Sequence, residues 1–125
     1  MNKVLIVCDA PKGTEFFRDF LTQNGYEDIL VVENGEEARR ILVDTDFDLC
    51  LINAPLRKES GEQLSIDIAE KNICQVILFV KAEQCDAIAD CVEDYGVITV
   101  SKPISRQLFW SAIKLARVAQ RRITM

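Results

Sequence analysis

The sequence has no histidine, and this absence excludes several kinds of active site at once. Ser–His and Cys–His nucleophiles, as well as zinc sites that combine cysteine with histidine, all require an imidazole. The cysteines, at positions 8, 50, 74, 85 and 91, include no Cys-x-x-Cys pair. We therefore interpret them as small apolar residues of strands and helices in a reducing compartment, and not as metal ligands.

Long hydrophobic runs and an overall positive charge are also missing. Apolar runs such as Val76–Val80 are far shorter than the roughly 20 residues that a membrane helix requires. The 15 basic and 20 acidic residues give a net charge of −5, which makes the chain as a whole a poor nucleic-acid binder. The segment Asp9-Ala10-Pro11-Lys12-Gly13 matches neither glycine-rich phosphate-binding motif. These absences predict a cytoplasmic domain without a membrane segment, and they disfavour nucleotide binding.

The sequence does contain a regular alternation of short apolar runs with amphipathic stretches. Its 125 residues fit a single domain. Each apolar run is nearly all aliphatic, as in parallel strands that are covered on both faces. The predicted strands are Lys3–Cys8, Ile29–Val32, Leu49–Ile52, Val76–Val80 and Val97–Val100. Strict alternation of strands and helices predicts an α/β fold, namely a flavodoxin-like, doubly wound (βα)5 parallel sheet with the strand order 2-1-3-4-5.

Residues with known capping preferences mark the ends of the predicted helices. Thr14 is placed at the start of the first helix, and Gly25 directly follows its end. Asn34 and Glu37 have the spacing of a capping box at the start of the second helix. Ser105 is predicted to cap the last helix. The residues of that helix predicted to face the core are Leu108, Phe109, Ala112, Ile113 and Ala116.

The functional crevice of such a sheet lies beyond the carboxyl ends of its strands. Four strand ends carry Cys8-Asp9-Ala10, Asn53-Ala54-Pro55, Lys81-Ala82-Glu83 and Ser101-Lys102-Pro103. Together these segments resemble the receiver domain of two-component response regulators, and the resemblance extends over essentially the whole chain. The positions of that family's acidic pair, phosphoacceptor aspartate, switching hydroxyl and Lys-Pro step are held here by Cys8-Asp9, Asn53, Lys81 and Lys102-Pro103.

The resemblance implies a chemistry for which this sequence supplies only some of the parts. In receivers an aspartate takes a phosphoryl group, two acidic side chains help to hold Mg²⁺, a lysine contacts the phosphoryl oxygens, and a hydroxyl moves in afterwards. An amide such as that of Asn53 is not a competent nucleophile for this transfer. The resemblance thus implies a degenerate phosphoacceptor pocket without catalytic residue, metal or cofactor. Its members are Cys8, Asp9, Asn53, Lys81, Lys102 and Pro103.

The charges in this pocket predict how it is arranged. One carboxylate beside two ammonium groups gives a net charge of +1, which makes a poor Mg²⁺ site. We expect Asp9, Lys81 and Lys102 to form an ion-pair cluster in which Lys81 takes the place of the metal. Two alternatives remain open: Lys81 is a solvated loop residue, or the two lysines bind a small anion.

Several phrases resemble, more narrowly, the receiver of ANTAR-type transcription antitermination regulators. They are Asn53-Ala-Pro-Leu, Val80-Lys-Ala-Glu, Val92-Glu-Asp-Tyr-Gly96 and the segment 101–109. In that family a helical coiled-coil segment and a small helical RNA-binding domain follow the receiver. The resemblance implies a pseudo-receiver domain over residues 1–116 and the start of a helical connector over residues 117–125.

The function implied by this resemblance is that of a non-phosphorylatable regulatory and dimerisation module of an RNA-binding antiterminator. We expect the domain itself to be no enzyme and to bind no nucleic acid. One alternative is a receiver-fold interaction module of a DNA-binding response regulator. A more distant alternative is a flavodoxin-like enzyme that uses the Cys8 thiol beside the two lysines.

Charges on the last two predicted helices suggest a partner surface. Residues 102–125 hold six basic residues and no acidic residue. The acidic side chains Asp86, Asp90, Glu93 and Asp94 oppose the basic side chains Arg106, Lys114, Arg117 and Arg121. We expect a salt-sensitive homodimer through the fourth helix, fifth strand and fifth helix, with each acidic helix against the other chain's basic helix. The alternative is that these charges pair within one chain.

Overall fold

Five parallel strands form one sheet in the computed structural model, which describes residues 3–71 and 73–124, with side chains as far as residue 119. The strands are β1 (Lys3–Val7), β2 (Asp28–Val32), β3 (Leu49–Asn53), β4 (Gln75–Lys81) and β5 (Ile98–Lys102). Their order is β2-β1-β3-β4-β5, and all neighbours are parallel. The predicted flavodoxin-like fold is therefore confirmed.

Helices cover both faces of this sheet, as the nearly all-aliphatic strands require. They are α1 (Pro11–Gln23), α2 (Gly35–Asp44), α3 (Gly61–Glu70), α4 (Cys85–Val92) and α5 (Arg106–Thr124). Buried residues of α1 and α5 share one apolar cluster with one face of the sheet, and those of α2, α3 and α4 share a second cluster with the other face. Within the described residues, no helix has both the length and the apolar character that a bilayer crossing demands.

Three of the predicted helix ends are found as expected. The Asn34 side chain accepts a hydrogen bond of 2.9 Å from the Glu37 N–H at the start of α2. Ser105 Oγ accepts one of 3.2 Å from the Leu108 N–H at the start of α5. Gly25, just after α1, has a φ of +90°, which glycine adopts at no steric cost.

The predicted start of the first helix at Thr14 is wrong. α1 begins at Pro11, with Ala10 as the residue before its first turn. The fixed φ of proline suits the first helical position, where its missing N–H would be unpaired in any case. The helix consequently starts almost directly after Asp9 and lies close to the carboxyl end of β1.

The buried side of α5 was predicted correctly except at one residue. Phe109, Ala112, Ile113 and Ala116 are all buried, at most 3% exposed. The side chain of Leu108 was also expected in the core, but it is 53% exposed. Each residue advances about 100° around a helix, so Leu108 lies at the edge of the buried side and not within it. The helix continues from Ala116 to Thr124 without a break.

Candidate functional site

The parallel strands place their carboxyl ends along one edge of the sheet, where the candidate site residues lie. Lys81 and Lys102 are register partners at the ends of β4 and β5, and Asn53 ends β3. The structure brings three of the predicted residues into contact. Asn53 Nδ2 donates to Cys8 Sγ at 3.4 Å, and Lys102 Nζ donates to Asn53 Oδ1 at 3.2 Å. Cys8, Asn53 and Lys102 thus form the centre of the site.

The Lys102 ammonium lies against neutral oxygens. It donates to the Ala54 carbonyl as well as to the Asn53 amide oxygen. Burial lowers the pKa of Lys102 below its ordinary value, and the charge of Lys81 acts in the same direction. An ammonium has three N–H donors. Two of those of Lys102 are used by Asn53 and Ala54, and they are no longer free for an anionic ligand.

The Asp9 carboxylate contacts Arg57 and forms no ion pair with Lys81 or Lys102. Its Oδ2 accepts a hydrogen bond of 2.8 Å from the Arg57 N–H and lies 3.9 Å from the Arg57 Nε. The guanidinium also donates to the Asp9 carbonyl at 3.2 Å. Arg57 belongs to the loop between β3 and α3, and no pattern in the sequence assigned it a role. It is Arg57, and not a lysine, that supplies the positive charge next to Asp9.

The predicted ion-pair cluster around Lys81 is wrong. Lys81 ends β4 with its side chain exposed, whereas the five residues before it are buried. Among the described residues, Lys81 forms no ion pair, so the solvated-lysine alternative fits the structure. Pro103, the last member of the predicted pocket, follows Lys102 through a cis peptide bond and is exposed.

The first turn of α1 packs closely against Cys8 and Asn53. A Cβ atom on Gly13 would lie 3.1 Å from Asn53 Nδ2 and 3.1 Å from Cys8 Sγ, closer than most real Cβ contacts. Only glycine fits here without displacing its neighbours. Cys8 itself is 1% exposed, and its thiol donates to the Ala10 carbonyl at 3.4 Å.

These donors do not fit Mg²⁺, the ion that receivers hold. Mg²⁺ requires oxygen ligands in nearly octahedral geometry, and a thiol such as that of Cys8 is too soft a ligand for it. The Asp9 carboxylate is already paired with Arg57, and the Asn53 amide oxygen with Lys102. In the part of the chain that the structure describes, no cluster of three or more acidic, cysteine or histidine residues has a metal-binding arrangement.

The loop that carries Arg57 is fastened by a second arginine that sequence reasoning missed. Arg39, on α2, donates to Glu59 at 2.8 Å and to Asp67 at 2.7 Å. Hydrogen bonds with Glu59 and Asp67 raise the pKa of Arg39, and those from Gln63 and Arg39 lower the pKa of Asp67. The network joins α2, the β3–α3 loop and α3. The loop is therefore held at Glu59 by Arg39 and at Arg57 by Asp9.

Two of the basic side chains assigned to the partner surface make contacts on the α1 side of α5. Arg106 donates to Gln23 Oε1 at 3.0 Å, and Arg117 donates to the Tyr26 hydroxyl at 2.7 Å. Both contacts lie at α1 or directly after it, so these arginines face away from α4. Lys114 Nζ lies 5.7 Å from the centre of the Trp110 ring. The acidic side chains Asp86, Asp90, Glu93 and Asp94 are exposed as expected, whereas Arg121 lies outside the described side chains.

The opposite edge of α5 is apolar and exposed. Leu108, Leu115 and Val118 are 53%, 59% and 46% exposed. Helical geometry places them on the edge away from Arg106 and Arg117, next to β5 at the side of the sheet. We call these three residues the α5 apolar stripe.

Comparisons with known proteins agree with the fold. Residues 4–114 match the family model of the response regulator receiver domain. A response regulator receiver domain protein (CheY-like) from Methanospirillum hungatei JF-1 has a TM-score of 0.84 at 17% identity, covering 98% of each chain. The signal receiver domain of an HD domain-containing protein from Pseudomonas fluorescens Pf-5 has a TM-score of 0.83 at 19% identity, covering 97% of this chain and 98% of that one.

A third similar structure is the signal receiver domain of a signal transduction histidine kinase from Syntrophus aciditrophicus. Its TM-score is 0.80 at 25% identity, and the match covers 97% of this chain and 94% of that one. No curated protein matches the chain.

Proposed function

Because this chain belongs to the response regulator receiver family, we propose that it is a pseudo-receiver, a domain that takes no phosphoryl group and acts by binding partners. The observation that carries the proposal is the hydrogen-bonded side chain of Asn53. Its amide lies at the end of β3 between the Cys8 thiol and the Lys102 ammonium, with both polar atoms paired. A side chain held in this way stabilises one arrangement of the crevice.

The chemistry of these groups supports a role in binding and not in catalysis. The nitrogen lone pair of an amide is delocalised, and Asn53 therefore lacks the nucleophilic oxygen of an aspartate. Without a phosphoryl group the crevice has no ligand whose affinity differs between two conformations, so any signal must come from a partner. Cys8 is buried and hydrogen-bonded on both sides, which also disfavours the alternative of an enzyme with a cysteine nucleophile.

A magnesium titration tests this proposal directly. Titrating the protein with millimolar Mg²⁺ in a calorimeter is expected to give no saturable heat, because Asp9, the single carboxylate among the six crevice residues, is paired with Arg57. The matched control is Arg57→Ala, which frees part of the Asp9 carboxylate but adds no second one, and is likewise expected to bind weakly or not at all. Saturable wild-type binding tighter than millimolar that Asp9→Ala abolishes would contradict the proposal.

We place this pseudo-receiver in the cytoplasm as the regulatory module of an ANTAR-type antiterminator. The phrases around Asn53, Lys81 and Lys102 support this assignment, and so does the length of α5, which extends to Thr124. Any sequence that the gene encodes after residue 125 tests this assignment. A helical RNA-binding domain there agrees with the assignment, and a DNA-binding domain favours the alternative of a DNA-binding response regulator.

We further propose that the module forms a homodimer through α4, β5 and α5, with the α5 apolar stripe at its centre. Positions 108, 111, 115 and 118 follow the alternating spacing of three and four residues that lets two helices pack along a seam. Leu108, Leu115 and Val118 occupy three of these positions, and the small Ser111 occupies the fourth. A two-fold axis sets the same stripe of each chain against the other, which makes a second copy the natural occupant.

Sedimentation of two variants on opposite edges of α5 tests this dimer. Leu115→Glu places a charge in the centre of the stripe and is expected to give monomers. Arg117→Glu changes a residue that contacts Tyr26 on the α1 side, and is expected to dimerise like the wild type. An apolar interface also predicts a dimer that persists at high salt, whereas pairing of charges predicts its loss. A wild type that is monomeric at every concentration, or a dimeric Leu115→Glu variant, would exclude this interface.

A further inference from the structure

Two cysteines lie together at the end of the sheet opposite the crevice. Cys50 is the second residue of β3, and Cys74 directly precedes β4. Cys50 is the register partner of Val76, two residues after Cys74. Cys50 belongs to the apolar cluster that α2, α3 and α4 share with the sheet, and Cys74 packs against it. Strand register and packing therefore bring the two thiols into one neighbourhood.

The two thiols interact but differ in accessibility. Cys50 is fully buried at 0% exposure, whereas Cys74 is half-buried and can be reached from solvent. The hydrogen bond with Cys74, together with burial, raises the pKa of Cys50 well above its ordinary value. Cys50 therefore remains a protonated thiol, and the neighbouring thiol of Cys74 is the more accessible of the two.

We propose that Cys50 and Cys74 form a disulfide when the protein meets hydrogen peroxide, which makes this end of the sheet an oxidation site separate from the crevice. The Cys74 sulfur attacks one peroxide oxygen, the O–O bond breaks, and Cys74 sulfenic acid and water form. The Cys50 sulfur then attacks the Cys74 sulfur, its proton leaves with the hydroxyl as a second water, and the S–S bond closes. In sum, two thiols lose two electrons, and the peroxide is reduced to two waters.

The other cysteines lack this combination of an accessible and a buried thiol. Cys8 is buried in the crevice with Asn53 and Ala10 as its partners. Cys85 and Cys91 both lie on α4, six residues apart and thus on different sides of the helix. Cys91 is exposed, which makes it an internal reference for simple access of peroxide.

Peptide mapping of the full chain after treatment with hydrogen peroxide tests the proposal. Trypsin places Cys50 in residues 41–57, Cys74 in residues 72–81, and both α4 cysteines in residues 82–106, so each possible crosslink has its own mass. We expect a crosslink between 41–57 and 72–81 that a reductant reverses, and a fall in free thiols from five to three. The monomer band on a non-reducing gel should persist, because the bond is within one chain.

Single substitutions supply the controls. Cys91→Ser removes the exposed reference thiol and should leave the crosslink unchanged. Cys74→Ser should abolish it, with circular dichroism as the check that the variant is folded. The proposal is overturned if Cys91 is oxidised in the wild type while 41–57 and 72–81 remain unlinked, or if either peptide is linked to 82–106 instead. These outcomes are independent of magnesium and phosphoryl binding, so a failure here leaves the pseudo-receiver proposal untouched.

Discussion

Wild-type protein incubated with acetyl phosphate and Mg²⁺ is expected to show no phosphoryl adduct in its intact mass. In the proposed pseudo-receiver, Asn53 takes the place of the phosphoacceptor aspartate, and its amide cannot attack phosphorus. Lys102, which would contact the phosphoryl oxygens, donates instead to Asn53 and to the Ala54 carbonyl. The donors at this site do not fit Mg²⁺, so we expect no bound metal to supply the charge neutralisation that phosphoryl transfer requires. The effect is the largest that we predict, since labelling should be absent and not merely slower.

Variants separate the contributions of these positions. Asn53→Asp alone is expected to restore little labelling, because Cys8 still leaves Asp9 as the one carboxylate at the end of β1, and Arg57 is bound to it. The triple variant Cys8→Asp, Asn53→Asp, Lys81→Thr restores both acidic positions, the phosphoacceptor and the hydroxyl, and is the variant in which labelling is expected. Asn53→Gln is the matched control that keeps an amide. Efficient labelling of the wild type, located by peptide mapping at a crevice residue, would refute the pseudo-receiver proposal.

The sequence was sufficient to predict the sheet and to place Cys8, Asn53 and Lys102 at one edge of it. Buried parallel strands consist of aliphatic runs, so their ends could be located to within two residues. Once the order of the strands follows from their connections, Cys8, Asn53 and Lys102 must lie at one edge. Two of the observed contacts, Asn53 with Cys8 and Asn53 with Lys102, are consequences of that topology.

Contacts that depend on loops and on helical phase could not be predicted. Arg57 lies in a loop, and nothing in its surroundings in the sequence indicates that it reaches Asp9. Lys81 was assigned to the crevice from its position after β4, yet the last residue of a strand is free to point to solvent, and it does. The sign of the charge on Arg106 was evident, but only the packing of α5 against α1 determines that its side chain contacts Gln23.

The helical phase of α5 yields the second large prediction, which concerns stability. Phe109→Ala is expected to lower the free energy of unfolding by about 3–5 kcal/mol, the usual cost of removing a buried ring. Phe109 is 0% exposed, and its ring lies 4.3 Å from that of Phe20 and 5.2 Å from that of Phe79, measured between centroids. A domain is typically stable by only about 5–15 kcal/mol, so the variant should be close to its unfolding limit.

The neighbouring residue provides the matched control, because Leu108 and Phe109 differ by one step along the same helix. Leu108 is 53% exposed, and Leu108→Ala is expected to change the free energy of unfolding by only about 0.5 kcal/mol. Urea unfolding followed by circular dichroism measures both values, and it should be done below the concentration at which dimers form, since dimerisation would add stability through Leu108. A Leu108→Ala variant that loses as much stability as Phe109→Ala in the monomer would mean that Leu108 is buried, and that the phase of α5 described above is wrong.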